Sequence, residues 1–177
     1  GRAVRGAVVA WGAGGRVGGA VAFANWADLS DQTNRSGAAG MVEAVEAAGS
    51  RPHLAHVSTA YVGGMLRGLV SEQAPHDPGL NWRHEAAVLS NLRPVVEEES
   101  RRPEILKRLR REAGAKMGPA GTPAVARATE RLRDRWVKDQ LVERGRVHAN
   151  AMVFAELHSF TKAMAEHAVV ELHGDMP

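Results

Sequence analysis

Cysteine is absent from the 177 residues. That removes disulfides, thiolate nucleophiles and cysteine-built zinc sites, and it fits a reducing, cytoplasmic setting. Aromatic residues are scarce at 5%, with a single tyrosine, Tyr61. Single-stranded nucleic acid is held by stacking bases on aromatic rings. Few rings and no zinc-finger or RNP pattern argue against a nucleic-acid partner. No apolar run approaches the roughly 18 residues needed to span a bilayer, and no signal peptide is visible. Repeats and low-complexity tracts are missing. So are the Gly-x-Ser-x-Gly elbow and the Gly-x-x-x-x-Gly-Lys-Ser/Thr loop. The eight histidines form no His-Glu-x-x-His pair. Glu166-His167 with Glu171 comes nearest to a metal set, and it reads as helix surface.

What is present suffices for one domain with a real core: 44% hydrophobic and 24% charged residues. Net charge is +3, and the arginines that raise the pI to 9.8 concentrate in the middle of the chain. Ala7–Trp11, bounded by glycines, reads as a buried strand. The glycine run after it places Gly12, Gly15 and Gly18 three apart, a spacing that lets backbone amides approach a pyrophosphate. The alternative is an irregular loop near the cofactor. Residues 31–48 have helical periodicity, with Ala38, Met41, Val42, Val45 and Ala48 apolar and Gly49-Ser50 as the stop. His53–Val57 reads as a second strand, with Ser58-Thr59 at its C-terminal end, where open α/β sheets bind ligands. A hydroxyl pair there also suits a helix cap or turn.

Residues 66–80 are turn-rich. Residues 81–150 follow as a long helical stretch, with one segment opening at Asn81-Trp82-Arg83, another over 104–112 and a third over 125–142, the last two separated by Gly and Pro breakers. Arg101, Arg102, Lys107, Arg108, Arg110 and Arg111 form a basic cluster around Ile105, Leu106 and Leu109. It suits a solvated helix face, the phosphates of coenzyme A or an acyl carrier, or an anionic membrane surface. The last helix covers 156–173, its apolar stripe running Leu157, Phe160, Met164, Ala168, Leu172. On it His158 and Lys162 are four apart and share a face.

Ser159-Phe160-Thr161-Lys162-Ala163-Met164-Ala165-Glu166 resembles the Tyr-x-x-x-Lys helix of extended short-chain dehydrogenase/reductases. It is most similar to the male-sterility branch of fatty acyl-CoA and thioester reductases. His56-Val57-Ser58-Thr59-Ala60-Tyr61-Val62-Gly63-Gly64 resembles a strand end of the same branch. Asn34-Arg35-Ser36-Gly37 resembles an Asn-x-x-Gly that opens a helix after an earlier strand. The stretch 81–150 resembles the helical insertion of actinobacterial-type members. The resemblance covers roughly residues 21–177. It implies an α/β fold: a single incomplete Rossmann-like domain over 1–177, its parallel sheet interrupted by the insertion at 81–150. Gly1 without a methionine and Met176-Pro177 after the last helix further suggest a segment of a longer protein.

The same resemblance implies NADPH as cofactor and hydride transfer to an acyl-CoA or acyl-carrier thioester, giving aldehyde or alcohol. Thr59 and Ser58 would bind the carbonyl, and Lys162 the nicotinamide ribose. Asn34 and the three glycines would line the cofactor. His158 stands where the family has its catalytic tyrosine, and Val153, Phe154 and Ala155 replace a Gly-Trp-Pro lead-in. A neutral imidazole is a weaker proton donor than imidazolium. The expectation is therefore a reductase of impaired activity, in the cytoplasm or on a membrane surface. The alternative is a non-catalytic nucleotide- or acyl-binding module or a helical interaction protein.

Overall fold

The computed structural model describes residues 26–49, 54–69, 79–118 and 121–174. The first helical segment runs without a break through α1 (Ala27–Asp31), a π-helical turn (Gln32–Ser36) and α2 (Gly37–Ala47). A short 3-10 turn at Ala60–Gly63 follows, then α3 (Trp82–Ser100), α4 (Pro103–Met117), α5 (Thr122–Ala151) and α6 (Leu157–His173).

The expected parallel sheet is overturned. Among the described residues there is no strand. Residues 54–59, placed in a strand by sequence, carry no strand assignment, while Ala7–Trp11 and Gly12, Gly15 and Gly18 lie outside the described residues. A strand exists only through hydrogen bonds to a neighbour far away in sequence, so an apolar or alternating run does not make a sheet by itself. α3, α4 and α5 span the stretch expected to be helical, residues 81–150.

The helices begin and end where local chemistry dictates. Asn81 caps α3 by accepting the His84 amide. Proline occupies the first turn of both α4 and α5, where its missing N–H costs nothing. Gly49, Gly118 and Gly174 adopt positive φ just past helix ends. α3 and α5 pack around Val96, Val137 and Leu141, with Trp26, Leu92 and Trp136 at the margin. Buried Arg133 ties α5 to α3, donating to Glu97 at 2.8 Å and to Ser100 at 3.1 Å. Arg144 of α5 pairs with Glu99 of α3, and Arg93 of α3 pairs with Asp28 of α1 at 2.5 Å.

α6 is the buried helix. Leu157, Phe160, Met164 and Ala168 of its predicted stripe are buried, and so are Ser159, Thr161, Ala163 and Ala165. An apolar stripe alone does not require that. It follows because α1, α2, α3 and α5 all touch α6. Phe160 is fully enclosed, its ring 5.3 Å from Phe154 and 5.6 Å from His148. At Gly145, a Cβ would lie 2.9 Å from Leu157 Cδ2 and 3.0 Å from Ala27 Cβ. The absence of a side chain there lets α5 approach α1 and α6 closely.

Candidate functional site

Two turns bring the Ser58-Thr59 segment to α6. Gly64 adopts φ +65°, and a Cβ on it would sit 2.6 Å from the Val153 carbonyl oxygen. Glycine is thus required twice over, for its backbone angle and for the close approach. The Val153 carbonyl accepts the Met65 amide at 2.9 Å. Val153 has φ +62°, the one described non-glycine residue at positive φ. For a β-branched side chain this is a strained conformation. It is the position at which the family resemblance calls for glycine.

Beyond those turns, Lys162 Nζ donates to the Val57 carbonyl at 3.5 Å, joining residues 105 apart in sequence. Lys162 is ion-paired with no carboxylate among the described residues. Residues 56 and 58 alternate with 57 and 59 along the chain. Val57 and Thr59 therefore fall on one side and His56 and Ser58 on the other. Val57 is 83% exposed. Ser58 Oγ and His56 Nε2 are buried and meet no hydrogen-bond partner among the described residues. Thr59 Oγ1 accepts the Tyr61 amide at 3.4 Å, the capping role open to any such hydroxyl. Thr59 keeps its O–H to donate while accepting from Tyr61, so both hydroxyls retain a donor. Tyr61 is 70% exposed.

His56 is the residue sequence reasoning missed. Burial pushes its imidazole below the usual histidine range, the Lys162 cation adds to that, and Glu166 opposes it. The signal was available: period-2 alternation puts His56 on the Ser58 side. His158 opens α6, half-buried, and its carbonyl accepts the Thr161 hydroxyl at 3.1 Å.

Asn34 also reaches α6. It lies in the π-helical turn, is 3% exposed, and donates Nδ2 to Thr161 Oγ1 at 2.9 Å across 127 residues of sequence. A π-turn widens the helix by one residue, and such turns cluster at functional sites. Here it delivers Asn34 to the helix turn that carries His158 and Lys162. Asp31 and Arg35 brace the same turn with a bidentate pair at 2.6 and 2.7 Å. A second polar pair lies nearby, His148 Nε2 with Glu85 Oε2 at 2.6 Å, joining α5 to α3 beside Phe160.

Two links thus reach this turn of α6: Lys162 meets the Val57 carbonyl, which precedes Ser58-Thr59, and Asn34 meets Thr161, with His158 one turn before Lys162. No group of three or more His, Asp or Glu among the described residues is arranged to hold a metal ion. Glu171 instead accepts from Trp82 Nε1 at 2.5 Å and from Arg83. Two shallow grooves lie elsewhere, one along α4 and one between Trp82 and Glu171. Among the described residues, no helix is long and apolar enough to cross a membrane. Comparison with protein-family models, with curated proteins and with solved structures finds no match to this chain.

Proposed function

We propose that the turn of α6 around Lys162 is the ribose- and carbonyl-binding part of an NADPH-dependent acyl-thioester reductase site, with His158 weakening its proton transfer. The observation that carries this reading is the contact of Lys162 with the Val57 carbonyl, immediately before Ser58-Thr59. Nothing in the local sequence of either segment requires the other. The strained Val153 supports it as well, since its backbone holds a glycine conformation where the resembled family has glycine.

The residues fit the ring and ribose side of such a cofactor. Among the described residues, Ser58 Oγ is a buried hydroxyl without a partner and Lys162 is a cation without a carboxylate. NADPH, when bound, supplies the hydride. Ser58 donates a hydrogen bond to the thioester oxygen and steadies the negative charge growing there. Lys162 binds the ribose hydroxyls and adds positive potential. His56, kept neutral by burial and by Lys162, does not compete for that charge. His158 takes the tyrosine's place, and loss of a positioned general acid costs about 10²–10⁴-fold in rate.

The test has two arms. NADPH affinity, followed by cofactor fluorescence, is expected to fall about tenfold or more in Lys162→Ala. Turnover of a long-chain acyl-CoA is expected to rise in His158→Tyr by about 10²-fold or more. A chain with no NADPH affinity, or with affinity indifferent to Lys162, overturns the reading. Binding without turnover in both proteins favours the second reading, a nucleotide- or acyl-binding module, to which the loss of tyrosine already points.

A further inference from the structure

Between Arg101 and Gly118 the chain carries seven cations and two carboxylates, against a net charge of +3 for all 177 residues. The carboxylates of α3 do not neutralise this arm. Glu97 is taken by Arg133 and Glu99 by Arg144, both from α5. Of the arm's own acids, Glu112 pairs with Lys116 at 2.6 Å. Arg101, Arg102, Lys107, Arg108, Arg110 and Arg111 are exposed, and none is ion-paired among the described residues.

Four of these cations and two apolar residues share one surface. Arg101, Lys107, Arg110 and Arg111 line a shallow open groove with Pro103 and Leu106. Positions 103, 106, 107, 110 and 111 recur at helical spacing, so this is the outer face of α4. α4 packs by Leu109 and Ala113, the residues it buries, while Leu106 stays half-exposed among the cations.

We infer that the outer face of α4 is a docking surface for an anionic lipid bilayer. It is independent of the reductase reading. Small-molecule sites are concave and enclose most of their ligand, and a single exposed helix face does not. A broad, flat, negatively charged partner matches it. Long basic stems free of ion pairs, flanking a short apolar strip, suit the headgroup region, where the stems lie along the surface and the charges reach phosphate. α4 carries no aromatic ring to stack on bases. Attachment is electrostatic and peripheral. Each basic residue near an anionic surface contributes about 1 kcal/mol, so neutralising two of them weakens partition about 30-fold.

The experiment is sedimentation of the whole chain with phosphatidylcholine vesicles, with and without 30% phosphatidylserine. Binding is expected only to the anionic vesicles and is expected to fade as salt is raised. Arg110→Gln/Arg111→Gln should weaken it about 30-fold with the helical circular dichroism unchanged, since both side chains are exposed. Arg67→Gln/Arg146→Gln removes the same charge away from α4 and should bind nearly as the parent does. Equal losses in the two double variants would show a net-charge effect and overturn the assignment. Equal binding to neutral vesicles would overturn it too, as would binding of a duplex oligonucleotide without binding of vesicles, which reassigns the face to nucleic acid.

Discussion

The α3–α5 bundle and the buried helix α6 are held together by different forces. Across α3 and α5 the contacts are bridged by arginine: Arg133 and Arg144 reach glutamates on the facing helix, over a small apolar centre of Val96, Val137 and Leu141. Around α6 the contacts are apolar and close, with Phe160 and Met164 enclosed and Gly145 leaving room for Leu157. Its polar links, Asn34 to Thr161 and Lys162 to Val57, each join segments more than a hundred residues apart. A bundle of the first kind tolerates surface change. A helix of the second kind fixes the positions of side chains, which is what a site needs.

The comparison can be broken most directly at Phe160. Phe160→Ala leaves a cavity between His148 and Phe154 and is expected to cost about 4 kcal/mol, read as a fall in the denaturant midpoint. In the bundle, Arg133→Ala is expected to cost about 2 kcal/mol. That is below the cost of breaking a fully buried pair, because Glu130 and Asp134 remain half-exposed to water. If Arg133 proved the costlier of the two, the contrast drawn above would be reversed. At the turn before α6, Val153→Gly is expected to raise thermal stability, by about 1 kcal/mol, by relieving a β-branched residue at positive φ. A loss would show that the Val153 side chain makes up for its strain.

The smallest effect is one of pH. The His56 imidazole is held below its ordinary range in the fold, so near and below pH 6.5 the unfolded chain binds the proton more readily. Its burial therefore costs nothing above that range, and stability declines as pH falls below it. His56→Gln should flatten the decline between pH 7 and 5, measured by chemical denaturation at each pH. An unchanged slope would remove His56 from the account.

Much of the helical half was legible. The segments opening at Asn81-Trp82-Arg83, over 104–112 and over 125–142 are α3, α4 and α5, the last two running several residues further than predicted. The stripe on α6 and the stop at Gly49 also hold. The expected sheet does not. Residues 54–59 have the alternation of a strand without a partner strand, and alternation only says which side chains share a side. Of the candidate residues, Lys162 meets the carbonyl next to Ser58 and Asn34 meets α6 at Thr161, while the Thr59 hydroxyl accepts the Tyr61 amide. His56 and Thr161 were missed because their roles depend on what packs against them. Gly12, Gly15 and Gly18 fall outside the described residues.

Sequence alone determined where helices start and stop, which of their faces are apolar, and that α4 carries an unbalanced positive charge. Those properties depend on residues within one or two turns of each other. Tertiary structure decided that the first half of α6 is buried, that no strand forms among the described residues, and that Lys162 meets the Val57 carbonyl. Each of these rests on a contact between distant segments, and the free energy of such a contact is written in neither partner by itself.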